Sequence, residues 1–490
     1  MTSEPEPLSP IEPSPVTVPD PAALPTLGIA TMLRLGLFQM GLGMMSLLTL
    51  GVLNRIMIAE LRIPAVIAAS TIAVHQFMAP ARVWFGQLSD AKPFLGYHRT
   101  GYIWVGALCF VTTAFMALQI SWQLGDSLAT QGWSSQTYGL VGLLALIFGG
   151  YGLALSASST PFAALLVDVS AENDRSKLVG IVWSMLMVGI IIGAIVSSIL
   201  LKQLELDAAI ATVQASVNRL FLILLMVVLG LIALGTIGIE ARFSRYRSRS
   251  RSVSPGESRI TNREESVTLR QAIRVLTASR QTALFFTFLL VMTISLFMQE
   301  PILEPYAAKV FRMPLAATTQ LNAFWGLGTL IGLSTTGFLV VPRLGKQRTT
   351  RVGCFAVAGS FMLILLAGFT HEANLLLTAL VLFGLASGVT TTGAISMMLD
   401  LTIAETAGTF IGAWGLSQAI ARGVATVMGG SVQTLVEQWF PAPLFSYGAV
   451  FVLQALGMIL AVGFLQRVNV QEFRQNAKQA IATILEGELD

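Results

Sequence analysis

Long apolar runs, separated by short polar segments, recur from one end of the chain to the other. Most of them reach the length of about 20 residues that a helix needs to cross the hydrocarbon core of a bilayer. The pattern predicts twelve spans, at residues 33–57, 64–86, 101–120, 137–165, 179–201, 217–239, 283–304, 318–342, 351–370, 375–399, 409–432 and 444–466. The sequence therefore predicts an all-α polytopic membrane protein.

Composition supports this class, and the distribution of basic residues predicts an orientation. Of the 490 residues, 54% are hydrophobic and only 11% are charged, whereas a soluble domain carries about 25% charged residues. Lys and Arg concentrate in the cytoplasmic loops of membrane proteins. Most Lys and Arg residues of this chain fall on one side if the N-terminus is inside. Both termini are therefore predicted to be cytoplasmic.

The polar segments divide the chain into five predicted regions. Residues 1–30 are rich in proline and acidic residues and contain no basic residue, which predicts a disordered tail. Two halves of six spans follow, 31–240 and 283–466, joined by the Arg/Ser-rich linker 241–282. The linker either is disordered and fixes topology through its charges, or it makes a contact that phosphorylation controls or a contact with anionic lipid. Residues 467–490 place apolar residues on one helical face, which predicts a cytoplasmic amphipathic tail.

The two halves repeat each other in sequence. At one constant spacing, Gly152 corresponds to Gly384 and Asp168 corresponds to Asp400. Small residues let helix backbones approach closely, so both halves are predicted to use the same helix packing. Two parallel six-helix repeats are the architecture of the major facilitator superfamily.

A polar segment between the second and third predicted spans carries a further motif. Residues 86–99, "GQLSDAKPFLGYHR", resemble the loop signature of that superfamily, with Gly86, Asp90 and Arg99 in place. Asp90 is expected to accept hydrogen bonds at a helix terminus and so to hold helix ends together. The second copy, 337–348, lacks the aspartate. The predicted gate or structural residues are Gly86, Asp90, Arg99, Asp168, Asp400 and Arg422.

The seventh span ends in "FMQEPILEPYAAKVF", residues 297–311, in which Glu300 and Glu304 each stand directly before a proline. Proline removes a backbone donor and disfavours helical geometry at the preceding residue. The span is therefore predicted to kink or unwind here, as broken helices do where they line a cavity. The alternative is an ordinary span end with its carboxylates in water.

The same stretch, with "ATTQLNAFWGLGTLIG" at 317–332, resembles the hallmark of the PucC/LhaA family, the bacteriochlorophyll delivery branch of the major facilitator superfamily. Ala307 replaces a glycine of the family pattern. The residues that match the pattern are Gln299, Leu303, Glu304, Pro305 and Tyr306. The similarity extends over roughly residues 30–466 and excludes the linker.

This resemblance implies a membrane protein of a photosynthetic bacterium, in the plasma, intracytoplasmic or thylakoid membrane, that assists light-harvesting assembly. It would deliver chlorophyll or bacteriochlorophyll, as bound cargo, to antenna polypeptides, or shepherd those polypeptides. The implied partners are membrane lipids, light-harvesting or photosystem polypeptides and pigment-synthesis enzymes. The alternative is a secondary transporter of a small solute, although proton-coupled carriers usually need intramembrane carboxylates and these spans hold few acids away from their ends.

Chlorophyll magnesium takes an axial ligand such as imidazole, carboxylate or amide oxygen. His75 is the only histidine well inside a predicted span, so it is the first candidate, with an ordinary core histidine as the alternative. The other pigment-binding or cavity candidates are Gln39, Gln299, Glu300, Glu304, Tyr306 and Asn322. Arg422 lies in the middle of a span, where an isolated charge is costly, and Glu300 or Glu304 is its predicted partner.

No sequence motif predicts an enzyme. The sequence contains no phosphate-binding loop, no Cys/His cluster with metal-ligand spacing and no Ser-His-Asp arrangement. No enzymatic cofactor, bound metal or nucleic-acid partner is expected.

Overall fold

The computed structural model describes residues 27–170, 172–202, 209–243, 280–401 and 407–468, and the described part is helical. Its α-helices are α1 Ile29–Ser46, α2 Ala65–Phe77, α3 Ala81–Ala91, α4 Thr100–Gln131, α5 Ser135–Val169, α6 Glu172–Leu201, α7 Ile210–Thr236, α8 Ile239–Phe243, α9 Arg280–Phe297, α10 Leu303–Val310, α11 Leu315–Thr335, α12 Val341–Leu344, α13 Lys346–Thr370, α14 Ala373–Leu401, α15 Ala407–Trp439 and α16 Pro443–Gln466. Wider π-helical turns prolong α1 over Leu47–Leu53 and Ile56–Glu60, and α11 over Thr336–Val340. Residues 1–26, nearly all of the predicted linker and the predicted amphipathic helix lie outside the described residues.

Eight helices within the described ranges are long and apolar enough to cross a membrane. They coincide with eight of the predicted spans and identify an integral membrane protein. The other four predicted spans correspond to α2–α3, α9–α10, α11 and α15, which are interrupted, shorter or more polar. The number of crossings and the side of the termini stay predictions.

These four less apolar spans lie where the halves face each other. Helix α2 packs on α15, and α6 packs on α11, so both contacts join the first half to the second. Helix α9 packs on α15 and α16 within the second half, and its continuation α10 packs on the wide turn Ile56–Glu60 of the first half. Because helix association in lipid rests on close packing and on polar contacts rather than on hydrophobicity, a helix surrounded by other helices tolerates more polar residues.

Each half has its own apolar core. Buried aromatic side chains of the first core include Phe110 and Phe148, and those of the second include Phe361 and Phe383. Among the described residues of the second half, only Leu315 and Ala316, at the start of α11, join the first core. Within the described residues, the chain thus forms two packed halves that meet along a shared interface.

The repeated glycines occupy the same kind of helix crossing in both halves. A Cβ atom on Gly152 would lie 2.5 Å from the carbonyl oxygen of His75, and one on Gly384 would lie 2.2 Å from that of Trp325. Real Cβ atoms do not approach other atoms so closely, so only glycine lets α5 cross α2 and α14 cross α11 in this way. The crossing makes Trp325 the positional counterpart of His75.

Candidate functional site

The predicted interruption of the seventh span is present. Helix α9 ends at Phe297, α10 begins at Leu303, and Pro301 lies in the turn between them. The Glu300 N–H donates to the Phe297 carbonyl at 3.1 Å, and the Leu303 N–H donates to the Gln299 carbonyl at 2.9 Å. Local bonds therefore satisfy backbone groups that the proline removes from the regular helical pattern.

The interrupted span faces the first half, at the end of the bundle that contains loop 61–64. The Asn54 side chain donates to the Pro301 carbonyl at 2.5 Å. Arg55 donates to the Met313 carbonyl at 3.2 Å. We call this end of the bundle the α1–α2 end. Its contacts show that the "QEPILEP" segment lies at the interface between the halves.

Glu304 and Asn322, two of the predicted candidates, are in direct contact. The Asn322 amide donates to Glu304 Oε1 at 2.5 Å. Gly51, in a π-helical turn of the first half, leaves room for this carboxylate, because a Cβ atom there would lie 2.3 Å from Glu304 Oε1. Arg55 interacts with Glu304 electrostatically. The Glu304 side chain, only 3% exposed, therefore forms part of a packed contact between the halves.

Of the two glutamates predicted as partners of Arg422, Glu300 lies near it and Glu304 does not. The Arg422 guanidinium lies 3.8 Å from the centre of the Phe297 ring, a cation–π contact. Glu304 instead accepts a hydrogen bond from Asn322 on α11. Glu300 is the acidic neighbour with which Arg422 interacts electrostatically. Among the described residues, no ion pair joins Arg422 to either glutamate.

His75 lies at the crossing of α2 and α5. Its Nδ1 is 2.5 Å from the Ile72 carbonyl oxygen, and its ring meets Tyr151 edge-on, with centroids 5.6 Å apart. The side chain is half-buried. Arg82 and Arg422 both interact with it electrostatically. The sequence analysis missed Arg82, although a basic residue inside the predicted span 64–86 was a readable signal.

Two candidates from the family pattern point into the second half instead. Gln299 accepts a hydrogen bond from Gln454 at 2.8 Å, and the Tyr306 hydroxyl donates to the Ile364 carbonyl at 2.9 Å. These bonds attach the interrupted span to α16 and α13. The structure therefore gives Gln299 and Tyr306 a packing role, away from the interface between the halves.

Gln39, in α1, differs from Gln299 and Tyr306 because its side-chain oxygen forms no hydrogen bond to another helix within the described residues. The residue is 9% exposed. The structure therefore does not bring Gln39 together with the Glu304–Asn322 contact.

A charged cluster holds the opposite end of the first half together. Arg99 Nε donates to Asp168 Oδ2 at 2.9 Å, which joins the start of α4 to the end of α5. Arg99 also donates to the Ser89 hydroxyl of α3 at 2.6 Å. Gly86 faces Thr160 of α5, and a Cβ atom on it would fit at 3.5 Å. The predicted contribution of Asp90, like that of Asp400, lies outside the described side chains.

Glu240, at the end of the first half, completes this cluster and was missed in the sequence. Its carboxylate accepts from the His98 N–H at 2.6 Å, and from the N–H and hydroxyl of Thr100 at 2.7 and 2.6 Å. An acidic group at a helix N-terminus satisfies unpaired backbone donors and opposes the helix dipole. We call Arg99, Asp168 and Glu240 the charged joint.

Comparisons with known proteins extend over most of the chain. Residues 52–473 match the family described as PUCC protein. Protein PucC of Rhodobacter capsulatus is 28% identical over 447 residues, which cover 89% of this chain and 91% of that protein. The bacteriochlorophyll synthase 44.5 kDa chain of Rhodobacter capsulatus is 29% identical over 471 residues, covering 94% of this chain and 100% of that protein. The solved structure of nucleoside transporter NupG has a similar fold, with a TM-score of 0.62, 14% identity and coverage of 89% of this chain and 99% of that one.

Proposed function

Because the chain belongs to the PucC family, we propose that it is a membrane assembly factor that delivers (bacterio)chlorophyll to light-harvesting antenna polypeptides or shepherds those polypeptides. One relative, the bacteriochlorophyll synthase 44.5 kDa chain, is named for bacteriochlorophyll synthesis. The proposed partners are antenna or photosystem polypeptides, pigment-synthesis enzymes and lipid, in the membrane of a photosynthetic bacterium. The proposal assigns no chemical reaction to the chain.

The surroundings of His75 are the structural observation that most directly supports this function. The contact of Nδ1 with a backbone carbonyl favours the tautomer that keeps the proton on Nδ1 and leaves the Nε2 lone pair available. Such second contacts also fix the orientation of histidine ligands. Tyr151 and Phe148 flank the ring and offer apolar surface. This environment suits an axial ligand of chlorophyll magnesium in a bound cargo molecule.

The test is the absorption spectrum of the chain purified from its host in mild detergent. We expect co-purifying pigment, and a lower pigment-to-protein ratio for His75→Leu at an unchanged protein level, because leucine fills similar space without offering a ligand. A control is His371→Asn, since His371 lies at the end of α13 in a left-handed conformation that asparagine tolerates. Equal ratios in His75→Leu and the parent would remove His75 from the site, and a fall in protein level would make it a packing residue.

A secondary transporter of a small solute is the second candidate function, because the similarity to NupG extends over 89% of this chain. That likeness concerns the fold alone. A transporter predicts a colourless purified protein that a solute stabilises against heat, whereas the assembly factor predicts bound pigment or antenna polypeptide.

We also propose the full topology of twelve spans in two parallel six-helix repeats, with both termini in the cytoplasm. The four polar or interrupted spans support it, because each lies at the interface between the halves, where lower hydropathy is tolerated. The measurement is labelling by a membrane-impermeant maleimide of single cysteines in loop 92–99 and in loop 61–64, with Cys109 and Cys354 replaced by serine. Labelling of both loops from the same side would overturn the topology.

A further inference from the structure

Two arginines from opposite halves lie near each other inside the bundle. Arg82 is in the first turn of α3, and Arg422 is in the middle of α15. Arg82 follows Phe77 by five residues, and the Phe77 ring packs against Gly423, the neighbour of Arg422. This contact between the halves brings the two arginines near each other, and they repel each other electrostatically. Both side chains are exposed, and neither forms a hydrogen bond or ion pair within the described residues. Uncompensated charges at membrane depth are costly and mark functional positions.

We propose that Arg82 and Arg422 form a site for the carboxylate of an otherwise apolar ligand that enters between the halves. The proposal deepens the function proposed above and rests on it for the identity of the apolar body, a chlorin. Chlorophyll carries its side-chain acid as a phytyl ester, so the arginine site recognises the unesterified form of the pigment. A magnesium ligand such as His75 differs from this site, because it would accept the acid and the ester alike.

The packing of α15 directs Arg422 into the space between α2 and α9. A Cβ atom on Gly423 would lie 2.9 Å from the Phe77 ring of α2, and one on Gly429 would lie 2.2 Å from the Met298 carbonyl oxygen, just after α9. At about 100° per residue, Arg422 lies about 20° from the direction of Gly429, on the side of Gly423. The side chain therefore leaves α15 between its two contacts, towards the interface of the halves.

The guanidinium of Arg422 is oriented before any ligand arrives. The Phe297 ring, whose centre lies 3.8 Å away, covers one face of the guanidinium. The N–H groups at the edge of the guanidinium stay available. These groups form a planar fork that matches the two oxygens of a carboxylate.

The balance of charge at the site also favours an anion. Two arginines face one acidic neighbour, Glu300, so basic groups outnumber acidic groups at the site. This excess matches a ligand that carries a carboxylate. Glu300 Oε2 has no hydrogen-bond partner within the described residues, so the glutamate does not saturate the arginine.

The surroundings select for a ligand that is apolar apart from its carboxylate. Phe77, which contacts α15 beside Arg422, is 39% exposed, and Phe297 lies under the guanidinium. His75 interacts electrostatically with both arginines, so a single ligand of chlorin size is expected to reach both His75 and the arginine pair. A long-chain fatty acid shares the carboxylate and the apolar body but offers no metal to His75.

The experiment compares a free acid with its ester. Binding of a chlorin with a free carboxylate, of its phytyl ester and of a fluorescent long-chain fatty acid is measured by fluorescence with the purified full chain. We expect Arg82→Gln and Arg422→Gln each to weaken binding of the free-acid chlorin by about tenfold or more and to leave ester binding unchanged. Arg348→Gln, at an exposed position of α13, is the control. If a glutamine variant is unstable, Arg422→Lys keeps the charge without the planar fork and should retain part of the preference for the acid.

The outcomes separate this proposal from the proposed function. Equal affinity of the parent for acid and ester, or equal weakening of both by the substitutions, would overturn the carboxylate site while pigment delivery stands. Arginine-dependent binding of the fatty acid without binding of either chlorin would support the carboxylate site and overturn pigment delivery. Failure of all three probes to bind the parent would overturn both.

Discussion

The two halves build the same joint with different chemistry. In the first half, the start of α4 is held by the charged joint, in which Arg99 is 4% and Glu240 is 6% exposed. In the second half, Gln347 in the first turn of α13 donates to the Leu465 carbonyl near the end of α16, at 3.0 Å. Arg348, which matches Arg99 in the sequence repeat, is exposed. Within the described residues, the contact between α13 and α16 uses a neutral amide, whereas the contacts at the start of α4 use buried charges.

Arg99→Leu is expected to lower stability more than any other change at these two sites. It leaves Asp168 without the partner that now lies 2.9 Å away, and breaking a buried ion pair costs about 3–5 kcal/mol. Arg348→Leu should leave stability nearly unchanged, because its side chain is in solvent. Thermal unfolding of both variants in detergent is the measurement. Equal losses would show that the two joints do not differ, and Arg99→Leu combined with Asp168→Leu should recover part of the loss.

Glu240→Gln is expected to have a smaller effect. Glutamine keeps one oxygen for the N–H groups at the start of α4 but removes the charge, and hydrogen bonds to a charged group contribute about 1.5–3 kcal/mol. Gln347→Ala, the matched change in the second half, removes one neutral hydrogen bond worth about 1 kcal/mol. Hydrogen exchange at the first turns of α4 and α13 measures each joint separately. A larger loss of protection at α13 than at α4 would contradict the comparison.

The sequence predicted the eight long apolar helices well, because hydrophobic length is a property of each segment by itself. It also predicted the interruption before Leu303, because the prolines act on their own neighbours. It did not predict Glu240 or the contact of Arg422 with the Phe297 ring. Both depend on which helices pack together, and residues that meet across the fold, such as Glu240 and Thr100, leave no pattern in one sequence. The same limit explains why the sequence did not predict the contacts of Gln299 with α16 and of Tyr306 with α13.

The wide turns of α1 make the length of this helix part of its contact with the second half. A π-helical turn holds one residue more than an α-helical turn, so Leu47–Leu53 shifts the phase of everything that follows. Loss of a single residue there would restore regular winding and rotate Asn54 and Arg55 by about 100°, away from Pro301 and Met313. This stretch of the chain is therefore constrained in residue number as well as in residue type, and a conservative substitution is expected to be tolerated where a deletion is not.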